Sequence, residues 1–391
     1  MESTSAAAPK RRGKVILQRH GMDFPLFIAV MLVCAFGLVM MYSASYYYGL
    51  TSHNDGLYFL KRQFLFAAIG TASLYGLSHI GFRFYRKPWV NFLAYFGVVG
   101  LIFLTLAFPP INEARRWIPL KIFNLQPTEL AKFVLVMTLA NIMSRKVDMQ
   151  NLIAGVFPCL IVFGLLCVPT ILQPNLSMVV IFAIVTYIML YLGGTRLSHR
   201  LLIVLIGLAA VAVLIKLKGY RMDRITSFIN PDADPLGKGY QQSQARIALA
   251  NGGLFGQGLN FSRQKLNFLP ERESDYILAI IGEELGFVGV FALLAAYVFI
   301  IFRGINIAMR CPDRFGRLLA GGIVAVFAVQ VLVNVGVASG ALPATGQTLP
   351  FVSYGGTSMI VFLSAMGILL NISRYTEVNS ENARRAKQPQ E

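Results

Sequence analysis

Charge is scarce in this chain: 14% of its 391 residues are Asp, Glu, Lys or Arg, against about 25% in an ordinary soluble domain. The shortage falls in long uncharged stretches, which argues against a single water-exposed core. Cysteine is also sparse. Of the four, Cys34, Cys159 and Cys167 lie in apolar runs and Cys311 in a basic loop, so free thiols are expected rather than a disulfide framework. The four histidines, His20, His53, His79 and His199, are scattered, with no metal-ligand spacing. No Walker loop, GxGxxG unit, nucleophile elbow or zinc motif occurs, which leaves out nucleotide-driven chemistry and an obvious covalent nucleophile. Internal repeats and low-complexity tracts are absent too.

What the chain has is apolar length: 56% of it is hydrophobic. The apolar runs are 24–45, 62–81, 89–108, 127–144, 152–171, 177–193, 201–217, 276–302, 317–340 and 355–373. Each approaches the roughly 20 residues that a helix needs to cross a hydrocarbon core. An all-α polytopic membrane protein with about ten transmembrane helices is therefore expected. The first run is too long for a signal-peptide core and is read as a retained helix. An even number of spans puts both termini on one side. Lys and Arg collect in the short loops of that side, at Arg83, Arg86, Lys87, Arg196, Arg200, Arg303 and Arg310 among others. The bias places the termini in the cytoplasm, and it accounts for the net charge of +17 without nucleic acid, for which no basic run with stacking aromatics is present.

The chain divides into a basic cytoplasmic segment, 1–23, a transmembrane domain, 24–375, and a polar cytoplasmic tail, 376–391. Two external segments stand out. One runs from Pro109 to Gln126; the other, about 218–275, joins helices 7 and 8 and is far longer than ordinary helix connections. Within it, Gly239 to Leu249 and the Gly-rich turn Asn251–Leu259 suggest short amphipathic helices near the outer interface.

Ionisable residues near a membrane need a partner or a task. Glu129 and Lys132, three apart on one helical face, fit either an ion pair that ties down a helix end or the charged wall of a cavity. Glu271, Glu273 and Asp275 cluster before the eighth helix, where acids favour a helix start. Asp275 is the last charge before the membrane, placed where a carboxylate can accept a proton from a bound hydroxyl. Glu283 and Glu284 lie deeper and are expected to hydrogen-bond between helices. Arg115, Arg116 and Lys121 surround Trp117; they fit headgroup anchoring or a pyrophosphate clamp. Arg62, entering helix 2, has the same two readings.

At this point a family resemblance is visible. Glu113-Ala-Arg-Arg-Trp-Ile118 followed by Gln126-Pro-Thr-Glu-Leu-Ala-Lys132, then Gln173-Pro-Asn-Leu-Ser177, resemble its first two signatures. Gly252-Gly-Leu-Phe-Gly-Gln-Gly258, Leu269-Pro-Glu271 and Ile281-Gly-Glu-Glu-Leu-Gly286 resemble the third, and Leu349-Pro-Phe-Val-Ser-Tyr-Gly-Gly-Thr-Ser358 the fourth. Together, in this order over about residues 24 to 375, they are similar to the SEDS family, the FtsW, RodA and SpoVE proteins of shape, elongation, division and sporulation.

The resemblance implies a peptidoglycan glycosyltransferase that polymerises lipid II at the outer face of the bacterial cytoplasmic membrane. Asp275 matches the family's essential aspartate and would be the general base. Glu129 and Lys132 match the charged pair lining the cavity. Arg116 and Trp117 match the Arg-Trp of the first signature and Arg62 a basic residue entering helix 2; these cations would bind the pyrophosphate, Arg115 and Trp117 would join them in binding substrate, and Ser353 and Tyr354 would shape the cavity floor. A class B penicillin-binding transpeptidase is the implied partner, beside other division and wall-synthesis membrane proteins. A divalent cation, Mg2+ or Mn2+, is compatible with such chemistry, although no dedicated ligand set is visible. The chain departs from the family where His-Thr-Asp-Phe becomes Glu273-Ser-Asp-Tyr276, and where the second signature's Asp becomes Asn175. The compact Leu259–Lys265 stretch resembles the division and sporulation members more than RodA, the neighbouring alternative. The rival class is a flippase for lipid-linked precursors; transporters place ionisable sites near the midplane between repeats, whereas here the carboxylates and cations sit at the outer mouth. A docking scaffold is a third class.

Overall fold

The computed structural model describes residues 17–19, 21–110, 114–120, 123–145, 148–216, 228 and 239–377. Among them the helices are α1 (Phe24–His53), α2 (Tyr58–His79), α3 (Pro88–Leu104), α4 (Pro127–Ser144), α5 (Phe157–Leu172) and α6 (Leu176–Gly193). They continue with α7 (Leu197–Lys216), α8 (Tyr240–Gly252), α9 (Ile277–Arg310), α10 (Arg314–Ala338) and α11 (Gly356–Ser373). Two small antiparallel pairs complete the list: β1 (Leu17–Arg19) with β4 (Tyr375–Glu377), and β2 (Ile118–Pro119) with β3 (Asn124–Leu125). The first pair joins the two ends of the chain, and brings residues 376–377 of the expected tail into the fold.

All ten apolar runs are occupied by helix. Seven helices among the described residues are long and apolar enough to cross a membrane: those at Phe24–His53, Pro88–Ala107, Leu152–Leu172, Leu176–Gly193, Ile277–Arg310, Arg314–Ala338 and Gly356–Ser373. This makes the chain a multi-pass membrane protein. α2 and α4 carry charges in their first two turns, Lys61, Arg62, Glu129 and Lys132, and α7 is apolar over Leu197–Val213; these three do not enter the seven.

The packing has a clear centre. In their most apolar 18-residue stretches, 72% of residues are buried in α10 and 67% in α11, against 22% in Pro88–Ala107. α10 touches α4, α6 and α9, and α2 lies along α11. The α2–α11 contact is close: a side chain at Gly70 would meet Leu363, one at Gly367 would meet the backbone of Leu74, and Ser73 and Ser364 hydroxyls lie 2.6 Å apart. Peripheral helices turn apolar faces outward, with Leu205, Phe92 and Phe291 exposed, as lipid contact requires. At its N-terminal end Asp23 caps α1, accepting from Leu26 N at 3.0 Å, and pairs with Arg303 Nη2 at 2.5 Å.

α9 is bent rather than straight. Gly286 has φ 67° and ψ −167° inside it, a left-handed backbone that a glycine tolerates. At that bend the Gly256 backbone, itself at φ 82°, comes against Glu284 and Gly286 so closely that neither glycine has room for a Cβ. The helix expected in the long 218–275 loop exists as α8, and it packs along α9, with Gly252 against the Gly282 carbonyl; that close backbone approach leaves no room for a Cβ at Gly252. Residues 217–227 and 229–238 of that loop lie outside the described residues.

Candidate active site

A cavity of about 560 Å³ opens among the end of α1, the start of α2, the 116–126 segment, the 271–275 segment and the 346–356 loop. Three chemistries meet in it. Glu271, Glu273 and Asp275 make an acidic side, Arg62 and Arg116 a cationic one, and Tyr48, Phe59, Phe66, Trp117, Phe123 and Tyr354 an aromatic lining.

The acidic side is a backbone turn held at several points. Glu271 takes a left-handed conformation, φ 52°, so that its carbonyl accepts from Asp275 N at 3.1 Å and Ser274 N at 3.2 Å. Tyr354 N donates to the Glu273 carbonyl at 2.7 Å, and Ser353 Oγ to the Ser274 carbonyl at 2.5 Å. Asn334 Nδ2 reaches the Asp275 carbonyl at 3.0 Å and the Gln347 carbonyl at 2.7 Å. The carbonyls of three successive residues are thus fixed by α10 and the 349–354 signature. A Cβ on Gly346 would stand 3.7 Å from Asp275 Oδ2, so the loop passes close to the carboxylate at a glycine. Burial pushes the Glu273 carboxyl above its ordinary pKa, with Glu271 adding to the rise; its backbone hydrogen bond and Arg272 act the other way.

On the cationic side the Arg62 guanidinium stands 4.5 Å over the Tyr58 ring. It also lies beside the Tyr354 hydroxyl, where it opposes the upward push of burial on that phenol. Arg116 Nη2 donates to the Pro174 carbonyl at 2.5 Å, joining the first two signature loops. Trp117 lines the same wall.

Arg115 is not brought into the cavity. It is exposed, and its Nη1 donates to the Leu106 carbonyl at 3.0 Å. Glu129 and Lys132 are also outside the lining. They are buried against one another, Lys132 Nζ lying 2.9 Å from Glu129 Oε1 and 2.8 Å from Gln330 Oε1. Gln330 Nε2 in turn donates to the carbonyl of Thr348, a cavity residue, at 3.0 Å. The pair ties α4 to α10 beneath the cavity. Ser353 is buried and faces the Asp275 turn, whereas Tyr354 lines the cavity itself. Glu113 and Lys121 lie outside the described residues.

Among the described residues no group of three or more His, Cys, Asp or Glu side chains is placed to hold a metal ion. The three cavity carboxylates do not form such a cluster.

Sequence reading missed Gln330 and Asn334, and the aromatic wall of Tyr48 and Phe59. The amides did leave a signal: two of them four residues apart inside an otherwise apolar helix must find partners.

Fold and site together define a polytopic membrane protein with a mixed-charge, aromatic-lined cavity among its helix ends. The chain belongs to the FtsW/RodA/SpoVE family, described as "Cell cycle protein", which matches residues 24–378. It is 41% identical to a probable peptidoglycan glycosyltransferase FtsW of Trichlorobacter lovleyi, over 90% of this chain and 93% of that one. It is 38% identical to stage V sporulation protein E of Bacillus subtilis, over 90% and 97%. Its fold is similar to a chain from a peptidoglycan synthase complex studied for the coordination of polymerization and crosslinking, with TM-score 0.71, 28% identity and coverage of 90% and 98%. It also resembles the rod shape determining protein RodA of Thermus thermophilus, with TM-score 0.64, 27% identity and coverage of 90% and 97%.

Proposed function

We propose that this chain is a peptidoglycan glycosyltransferase that polymerises lipid II, with Asp275 as the general base. The observation that carries the reading is the pairing of a backbone-clamped carboxylate, Asp275, with Arg62 and Arg116 in one cavity. In the reaction, Asp275 takes the proton of an acceptor sugar hydroxyl. The freed oxygen attacks the anomeric carbon of the lipid-linked donor strand. A carbon–oxygen bond forms there as the bond to pyrophosphate breaks. Arg62 and Arg116 hold the pyrophosphate of the lipid-linked donor, whose charge they offset before and after it departs with undecaprenol. Trp117 and Tyr354 complete the wall around the substrate. Glu129 and Lys132 act through the Gln330 link to the cavity loop, and Arg115 supports the loop that carries Arg116.

In this reading the cavity faces the outer side of the bacterial cytoplasmic membrane, with both termini inside, as the basic short loops indicate. The relatives named for FtsW and sporulation protein E favour a division or sporulation role. A class B penicillin-binding transpeptidase is the partner, a reading supported by the similarity to a chain of a synthase complex.

The experiment supplies labelled lipid II to the purified protein with its transpeptidase, and compares wild type with Asp275→Asn and Asp275→Ala at equal folding. Polymer from wild type and from neither variant is expected. Equal polymer from all three removes Asp275 as base. No polymer, with lipid II moved across vesicle membranes instead, replaces the enzyme by a transporter.

A further inference from the structure

The stretch after α8 is inside out for a loop in water. Ser262, Gln264 and Lys265 are buried, while Leu254 is 65% exposed, Phe255 81% and Phe261 73%. Soluble surfaces rarely gather large apolar side chains in this way. The buried polar groups are held on two carboxylates of α9. Lys265 Nζ lies 2.8 Å from Glu284 Oε1, and Glu283 accepts from the Ser262 hydroxyl and from Gln264 N at 3.2 Å.

The backbone here is also paired. Gln257 N donates to the Glu283 carbonyl at 2.9 Å and Gly258 N to that of Glu284 at 3.0 Å. Phe287 N and Val288 N donate back to Gly253 and Leu254 at 2.9 and 3.1 Å. These bonds, across the Gly286 bend, fix Leu254 level with Val288. Irregular backbone survives at membrane depth only when its polar groups are so satisfied.

Depth follows from the helix below. From Glu284, whose carbonyl holds Gly258 N, to Arg303, the partner of Asp23 at the other end of the bundle, 19 helical steps rise about 28 Å, and the hydrocarbon core is about 30 Å thick. Leu254 and Phe255 therefore stand at its outer boundary. They continue the lipid-facing strip of α9, where Phe287 and Phe291 are exposed.

We propose that residues 254–261 form a finger whose Leu254, Phe255 and Phe261 side chains insert into the outer leaflet at the level of the headgroup–acyl boundary. The finger is bonded to the same helix that follows Asp275, so it sets the height of the cavity above the lipid surface. The inference rests on the membrane-spanning architecture and not on the proposed reaction.

The test uses full-length Phe255→Trp and Phe261→Trp proteins in phosphatidylethanolamine–phosphatidylglycerol vesicles. Acyl chains are brominated either near the carbonyl or near the terminal methyl. Emission added above the wild-type background of Trp89 and Trp117 is recorded, with aqueous iodide as the competing quencher. Shallow bromines are expected to remove most of the added emission while iodide and deep bromines remove little. Quenching by iodide and not by lipid overturns the proposal and leaves the patch as a surface for a protein partner. Stronger quenching by deep bromines overturns the interfacial placement. Neither readout depends on glycan polymerisation, so failure of the reaction leaves the finger testable, and the converse also holds.

Discussion

The Ser353 hydroxyl donates to the carbonyl of Ser274, the residue before Asp275, at 2.5 Å. Its oxygen also accepts from Leu349 N at 2.8 Å. One side chain thus ties the 349–354 loop to the turn that carries the proposed base. Ser353→Ala takes the side-chain partner from a half-buried carbonyl and from a buried N–H, at a cost of about 1–3 kcal/mol. Thermal unfolding in detergent should report that loss. Polymerisation should fall mainly in kcat, because Ser353 does not line the cavity.

Lys132, Glu129 and Gln330 form a buried unit. Removing one member of a buried ion pair typically costs about 3–5 kcal/mol, whereas replacing both members together costs much less. Lys132→Met is therefore expected to be more destabilising than Glu129→Gln combined with Lys132→Met. A double-mutant cycle on unfolding midpoints checks this; additive losses would sink the account.

Glu273 provides a pH test. Burial raises its carboxyl pKa in the folded state above the unfolded value. The folded form binds its proton more tightly, so this contribution to stability is complete below the ordinary carboxylate pKa and is lost as pH rises through the raised value. Glu273→Gln should be more stable than wild type at neutral pH and indistinguishable from it well below the ordinary carboxylate range. Unfolding midpoints across that range decide it.

Arg62 faces the cavity over the Tyr58 ring, and a hydrogen bond from a charged group contributes about 1.5–3 kcal/mol. Arg62→Ala is expected to raise KM for lipid II by about 10- to 150-fold, the same energy expressed as affinity, with a smaller change in kcat. Steady-state polymerisation over a lipid II titration separates the two. Arg115→Ala, at a residue outside the cavity, should change KM far less.

The helices were legible because membrane crossing imposes one demand, apolar length, that each run meets within its own residues. The α4 run, 127–144, coincides with the helix at both ends. Asp275 was legible for a similar local reason, as the last charge before an apolar run. The bend at Gly286 was not, since it depends on Gly256 arriving from 30 residues earlier. Nor was the burial of Lys132, because Gln330 lies 198 residues away, and spacing along one helix left a cavity wall and an ion pair equally open. Ser353 was expected on the cavity floor; its hydroxyl turns instead toward the 274 carbonyl, a contact no local pattern encodes.

The seam between α2 and α11 also sets a timetable for biogenesis. Ser73 and its partner Ser364 are 291 residues apart in the chain. At ribosomal rates of about 5–20 residues per second, roughly 15–60 s separate their synthesis. Throughout that interval the face of α2 that will receive α11, including Gly70 and Leu74, has only lipid or transient neighbours to cover it. The α2–α11 seam closes only when the last helix enters, and a chain cut short before residue 356 leaves that face of its second helix permanently unmatched.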